Sequence, residues 1–390
     1  MTHFNLVFNV GSYRRKMPGT SADHSFFDDS NEVARKLRNQ ACLDALNDVA
    51  HFLFETDGQV AVFDATNTTR DRRILISNFC VEHDFDLLFI ESICNSPDVI
   101  ETNVKEVKLF GPDYRNRTDP ETALADFMRR IELYKQRYET IDEDEEERLS
   151  FLKIINVGDK YIANRVQGQL KSRLTYFLMN CRLVPHTIYL TRHGETEFNK
   201  SGRIGGDSML TPKGKNYAKA LAEYMEGLDI PDLCVWTSVL KRTRYTAKHF
   251  AEAPVECWKA LNELDSGVCD GLTYEEIEEQ YPKEFARRDE DKYHYRYPQG
   301  ESYQDLVARL EPCIMELERR SNILVICHQA VARCLLAYFL NKSSDELPYL
   351  EVPLHTVFKL TTRGYGCDIE EIKLAESATD THRPKPTVMF

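Results

Sequence analysis

Several familiar features are missing from these 390 residues. No apolar run approaches the roughly 20 residues that a membrane-crossing helix needs. The first residues lack the charged-then-apolar order of a secretory signal. The 11 cysteines are scattered, with no C-x-x-C pair and no regular framework. That pattern speaks against a disulfide scaffold and reads as reduced, mostly buried thiols. A cytoplasmic protein with no membrane partner is the expectation. Basic residues are also scarce, with 50 Lys and Arg against 63 Asp and Glu and a net charge of −13. This balance argues against nucleic acid as a partner. It leaves a small anionic substrate open, because a basic pocket can sit in an acidic surface. No internal repeat is present.

What is present is enough apolar material for two cores. Hydrophobic residues make up 42% and aromatics 11%, over a length that suggests two domains. β-Prone runs at Phe4 to Val10, Gln59 to Phe63 and Asp86 to Glu91 are separated by helical patterns, such as Asn31 to Phe54. Leu124 to Tyr138 is also helical, and the acidic run Asp142 to Glu147 beyond it reads as a solvated loop or helix start. Alternation of strand and helix predicts a parallel sheet with covered faces. A second series begins at Thr187 to Leu190. It continues with strands at Leu233 to Trp236 and Asn322 to Cys327, and helices at Lys213 to Glu226, Ser302 to Arg319 and Ala330 to Leu340. The fold class is therefore α/β throughout, with a boundary near Pro185 (domains 1–184 and 185–372). The polar, proline-containing segment 373–390 reads as a disordered tail.

The chemistry concentrates at strand ends. Thr187 to Arg192 delivers Arg192-His193-Gly194-Glu195 where open parallel sheets bind ligands. A neutral imidazole can attack phosphorus in line, Arg192 can neutralise phosphate oxygens, and Gly194 permits close approach of the backbone. Arg-His-Gly alone is a short motif, and a satisfied histidine at a strand end is an equally good account of it. Other strand ends add weight. Arg242 follows Trp236-Thr237-Ser238 at a strand-to-helix junction, His328 and Gln329 follow Asn322 to Cys327, and Glu263 precedes a glycine turn. A second imidazole suits stabilisation of a transferring phosphoryl group, and a carboxyl suits protonation of a leaving oxygen.

Leu190 to Asn199 (LTRHGETEFN), with Gly202 to Ser208, resembles the histidine phosphatase superfamily. Lys259 to Ile277, Tyr295 to Tyr303 and Ile326 to Leu340 resemble one branch of it, the bifunctional 6-phosphofructo-2-kinase/fructose-2,6-bisphosphatase family. The resemblance runs from about Phe8 to His382. It implies that His193 is a phosphorylated nucleophile and that Glu263 is an acid and then a base. It implies that Arg192, Arg242 and His328 surround the phosphoryl group, with Asn199 and Gly205 in the same pocket. It also implies that Tyr274, Arg288, Lys292, Tyr303, Gln329 and Arg333 hold the sugar and its 6-phosphate. No cofactor or metal is implied for this half, and its partner is a small sugar phosphate.

The N-terminal half resembles the family's kinase domain through Phe8 to Arg15, Val62 to Arg70 and Phe89 to Asn95. The resemblance implies roles for Arg14, Asp64, Thr66, Arg70, Cys94, Lys108, Arg130 and Tyr134, with ATP and Mg²⁺ needed only if this half functions. The family's phosphate loop, G-x-x-x-x-G-K-S/T, is found nowhere in the chain. The expectation is a P-loop-kinase-like domain without its first strand and with kinase activity lost, its neighbouring strands left with unpaired edges. The resemblance further implies a homodimer. Three other readings compete: a full bifunctional enzyme, a different histidine phosphatase or mutase, and a non-catalytic sugar-phosphate binder.

Overall fold

The computed structural model describes residues 5–20, 23–28, 30–105, 111–114, 119–181, 186–363, 366–374 and 377–386. They form two units, Met1–Met179 and Asn180–Phe390. In the first, strand β1 (Asn5–Asn9) pairs in parallel with β2 (Val60–Asp64). The helix Glu32–Glu55 between them starts at Asn31, whose side chain accepts from Ala34 N at 3.0 Å. Its apolar positions Ala41, Ala45, Val49 and Phe52 recur every three or four residues and are buried. Val49 and Phe52 close on Phe8 of β1.

A second sheet joins β3 (Phe89–Ile93) in parallel to β4 (Phe151–Ile155), and β4 in antiparallel to β5 (Lys160–Asn164). The antiparallel pair departs from the all-parallel expectation. Only Asn156 to Asp159 connect its strands, and a link that short cannot cross over to a parallel neighbour. Among the described residues β2 and β3 are not hydrogen-bonded to one another, so each has one edge without a strand partner. The acidic run is a turn with Asp142 to Glu145 and Glu147 exposed, as expected of a solvated loop, and Glu146 is the exception. Glu146 is buried and takes Arg73 in a two-point pair, Nε to Oε1 at 2.9 Å and Nη2 to Oε2 at 2.7 Å.

The second unit is built on six strands: β6 (His186–Arg192), β7 (Cys234–Thr237), β8 (Val255–Cys257), β9 (Ile323–Cys327), β10 (Thr356–Arg363) and β11 (Gly366–Lys373). Their order is β11-β10-β6-β9-β7-β8. The four strands from β6 to β8 are parallel, while β10 and β11 form an antiparallel edge. Alternate residues serve opposite faces. Ile188, Leu190, Val325 and Cys327 pack with the helices Tyr303–Arg319 and Gln329–Phe339. Tyr189, Val235, Leu324 and Ile326 pack with Tyr217 and Leu221 of the helix Pro212–Gly227. Residues 377–386 correct the expectation of a disordered tail. They make side-chain and backbone hydrogen bonds to Glu195, Arg192 and Gln329.

Candidate active site

The parallel register of β6 against β9 sets Arg192 opposite Cys327. The next residue of each strand, His193 and His328, therefore emerges side by side, with ring centroids 5.3 Å apart. Three consecutive amides fix the loop that follows β6. His193 N donates to Cys327 O at 3.0 Å, Gly194 N to Thr246 Oγ1 at 3.0 Å, and Glu195 N to His355 Nε2 at 3.1 Å. A Cβ on Gly194 would lie 2.5 Å from the Gly214 carbonyl oxygen, so glycine is required for this approach.

His193 Nδ1 lies 2.8 Å from the Gly194 carbonyl oxygen, which can only accept, so Nδ1 carries the proton and Nε2 keeps a lone pair. Burial first, then Arg242 and Arg192, hold its pKa well below the usual imidazole range. His328 has the complementary tautomer. Arg242 Nε donates to its Nδ1 at 3.1 Å, so its Nε2 is the protonated atom, 2.8 Å from Ser238 Oγ. Burial, Arg242 and His193 keep it neutral as well. Arg242 also donates to Gly206 O and is buried. Arg192 donates from Nη1 to Val352 O and Thr381 Oγ1, each at 2.8 Å. Burial draws its pKa down to about 10, so it stays charged near neutrality. Glu263 Oε1 accepts from Leu264 N at 2.9 Å and from Ala330 N, at the start of the helix Gln329–Phe339, at 3.2 Å.

One cavity of about 570 Å³ is lined by His193, Arg192, Arg242, Glu263, Asn199 and Gly205, and further along by Tyr274, Arg288, Lys292, Tyr303, Gln329 and Arg333. His328 lies just behind it, fully buried. Gly205 has φ +69, and a Cβ there would meet Asp270 Oδ1 at 1.8 Å. At the far end Arg288 donates from Nε to Tyr297 Oη at 2.9 Å, from Nη2 to Tyr274 Oη at 3.1 Å and from Nη1 to Asp289 Oδ1 at 2.9 Å. Arg333 donates to Leu350 O and Tyr303 Oη. Lys292 donates to Pro348 O at 2.9 Å. Burial first, then Arg288, Arg333 and Arg383, lower its pKa to about 6. Arg192 Nε and Arg333 Nη2 are buried with no hydrogen-bond partner among the described residues. Buried guanidinium donors left open are costly, and both belong to residues that line the cavity.

In the N-terminal unit, Arg14 and Arg130 converge on Asp113, at 2.7 and 3.2 Å. Tyr134 flanks them through Phe27, over which Arg130 stacks. Asp64 and Arg70 sit apart from this group at the end of β2: Asp64 accepts from Asn9, and Arg70 pairs with Glu145. Thr66 lies in the loop between them, and Cys94 follows β3, its thiol 3.8 Å from Ser96 O. Lys108 falls outside the described residues. Asp23, His24 and Asp126 cluster nearby with metal-ligand spacing, but His24 already pairs with both acids and Tyr114 donates to Asp126.

Several parts of the phosphatase site are not marked in the sequence. Ser238, Thr246 and His355 fix the imidazoles and the strand-end loop, and Asp207 accepts from Lys241 N at 3.0 Å. Small hydroxyl residues carry no sequence signal of such work. The tail residues Thr379, Thr381 and Arg383 also line the cavity or anchor to it. Here a signal existed, because the family resemblance continued to His382, past the last strand.

A strand-end histidine with a free Nε2, ringed by two arginines and a second histidine on a mixed α/β sheet, defines a histidine phosphatase site. Comparison agrees: residues 188–374 match the histidine phosphatase superfamily (branch 1), and residues 2–185 match 6-phosphofructo-2-kinase. The chain is 58% identical over 380 residues to a 6-phosphofructo-2-kinase/fructose-2,6-bisphosphatase of Gallus gallus, covering 97% of this chain and 80% of that protein. It is 57% identical over 380 residues to form 1 of Mus musculus and 56% over 379 residues to form 4 of Homo sapiens, with the same coverage. This chain belongs to the 6-phosphofructo-2-kinase/fructose-2,6-bisphosphatase family.

Proposed function

We propose that this chain hydrolyses the 2-phosphate of fructose 2,6-bisphosphate through a phosphohistidine. The observation that carries the reading is His193: buried, neutral, its Nδ1 proton fixed by Gly194 O, and its Nε2 left for attack. In the first step Nε2 bonds to phosphorus and the bond to the sugar oxygen breaks. Glu263 gives that oxygen a proton. Arg192 and Arg242 counter the charge on the phosphoryl oxygens, and His328, bonded through Nδ1 to Arg242 and through Nε2 to Ser238, positions that arginine beside His193. In the second step Glu263 takes a proton from water, whose oxygen replaces Nε2 on phosphorus, and inorganic phosphate leaves. Arg288, Lys292 and Arg333 hold the 6-phosphate, which is bound and not cleaved.

Synthesis of fructose 2,6-bisphosphate from ATP is the second reading, favoured by the match over residues 2–185. The residues present do not fit ATP and Mg²⁺. The chain contains no glycine-rich loop bearing a lysine for the phosphates, and Asp64 is engaged by Asn9. We therefore propose that a polypeptide of this sequence is a phosphatase without matching kinase activity. The test uses substrate labelled on its 2-phosphate, following released phosphate and acid-labile phosphoprotein together. Release with a transient phosphoprotein supports the reading. Neither product from a folded protein would overturn it, and ATP-dependent synthesis at a comparable rate would overturn the second part.

A further inference from the structure

The tail crosses the wall of the cavity with a bond at every second residue from Ser377 to Arg383. Lys213 Nζ donates to Ser377 O at 3.2 Å. Thr379 donates from N and Oγ1 to Glu195 Oε2 at 2.9 and 3.0 Å. Thr381 Oγ1 accepts from Arg192, and Thr381 O accepts from Gln329 Nε2 at 3.3 Å. These anchors deliver Arg383. Its guanidinium lies 4.7 Å from the Tyr274 ring and 4.6 Å from the Phe285 ring, and Nη2 bonds Asp289 Oδ2 at 3.1 Å. The other oxygen of Asp289 holds Arg288. One carboxylate thus sets two guanidiniums side by side, with Lys292 close enough for Arg383 to disfavour its charge.

The tail is a wall of the cavity and does not fill it. Open space remains beside Arg383, and Arg192 keeps its Nε unpartnered even though Thr381 occupies its Nη1. Contact with two aromatic rings and the bond to Asp289 hold Arg383 in place, so it can meet a phosphate at little further entropic cost.

We propose that Arg383 is the tail's contribution to the distal anion subsite and sets selectivity for sugars that carry a second phosphate. The proposal rests on the phosphatase reading above. The experiment compares wild type, Arg383→Ala and Arg383→Lys on fructose 2,6-bisphosphate and on fructose 2-phosphate, which lacks the distal group. Arg383→Ala should raise KM for the bisphosphate about 10- to 100-fold, the loss expected for one charge-assisted hydrogen bond. KM for the monophosphate should stay within about twofold, kcat should hold, and Arg383→Lys should recover part of the loss. Calorimetric binding of fructose 6-phosphate, which needs no turnover, should weaken by the same factor. Unchanged KM, an equal rise for both substrates, or a faster kcat at constant KM would each overturn the proposal. The two readings fail separately. A wild type that releases no phosphate removes the reaction, whereas equal binding of fructose 6-phosphate by wild type and Arg383→Ala removes the role of Arg383.

Discussion

Lys292 makes anion binding depend on a proton. Its ammonium is buried among Arg288, Arg333 and Arg383, with Asp289 the opposing charge, and its pKa falls to about 6. At pH 7.5 only about 3% of the empty protein carries that proton. A phosphate dianion placed among these groups reverses the balance and favours the ammonium. Binding of fructose 6-phosphate at pH 7.5 should therefore take up close to one proton, since the ligand is itself almost fully a dianion there. The association constant should drop about tenfold for each pH unit above 6 until the lysine in the complex begins to titrate. Calorimetry in buffers of different ionisation heat reads the proton directly. A Lys292→Met variant should lose both the uptake and the pH slope. Zero uptake in wild type, or the same slope in Lys292→Met, would refute the reasoning. The group also acts on stability with a definite sign. Between pH 6 and 10.5 the unfolded chain holds this proton and the native protein does not, so raising pH favours the native state.

His193→Ala should abolish phosphate release and phosphoprotein together while fructose 6-phosphate still binds, as calorimetry would show. Both active-site imidazoles are kept neutral, so below about pH 6.5 the unfolded state gains protons that the native state refuses; the phosphatase half should lose stability on acidification, and His328→Gln should flatten that slope in urea titrations. Gly205→Ala meets both a positive φ and Asp270, and should cut kcat/KM at least tenfold by displacing the Gly205–Arg242 side of the pocket. In the N-terminal unit, Glu146→Ala strands the Arg73 guanidinium in a buried position and should cost about 3–5 kcal/mol, whereas Arg73→Met with Glu146→Leu should cost much less.

The site was more legible than the frame around it. Arginine, histidine and glutamate at strand ends announce themselves because few other uses explain them there, and the resemblance turned scattered cations into one subsite. The register that brings His193 beside His328 was readable only as two buried strands. That they are neighbours is decided by pairing over a separation of more than 130 residues, which no local pattern encodes. The antiparallel edge β10–β11 was missed for a related reason. Its outer strand is largely exposed, so it lacks the apolar run that betrayed the central strands. The tail was misread because polar composition and proline predict disorder only when the segment has nothing specific to bind. Thr379, Thr381 and Arg383 each find a charged partner.

The two halves differ in how far their sheets are closed by their own residues. In the phosphatase half every central strand has neighbours on both sides, and β6, β7 and β9 are almost wholly buried. In the kinase-like half β2 and β3 each end a separate sheet, and Val62 and Ile90 on them are 47% exposed. Exposed apolar side chains on open strand edges invite pairing and weaken the unit that bears them. The catalytic residues proposed here all belong to the closed sheet, its loops and its tail, so catalysis should not depend on the open one. Residues 180–390 expressed alone should hydrolyse fructose 2,6-bisphosphate with kcat and KM within about threefold of the full chain. A folded fragment without activity would mean that the kinase-like half shapes the phosphatase site, and would overturn this separation of labour.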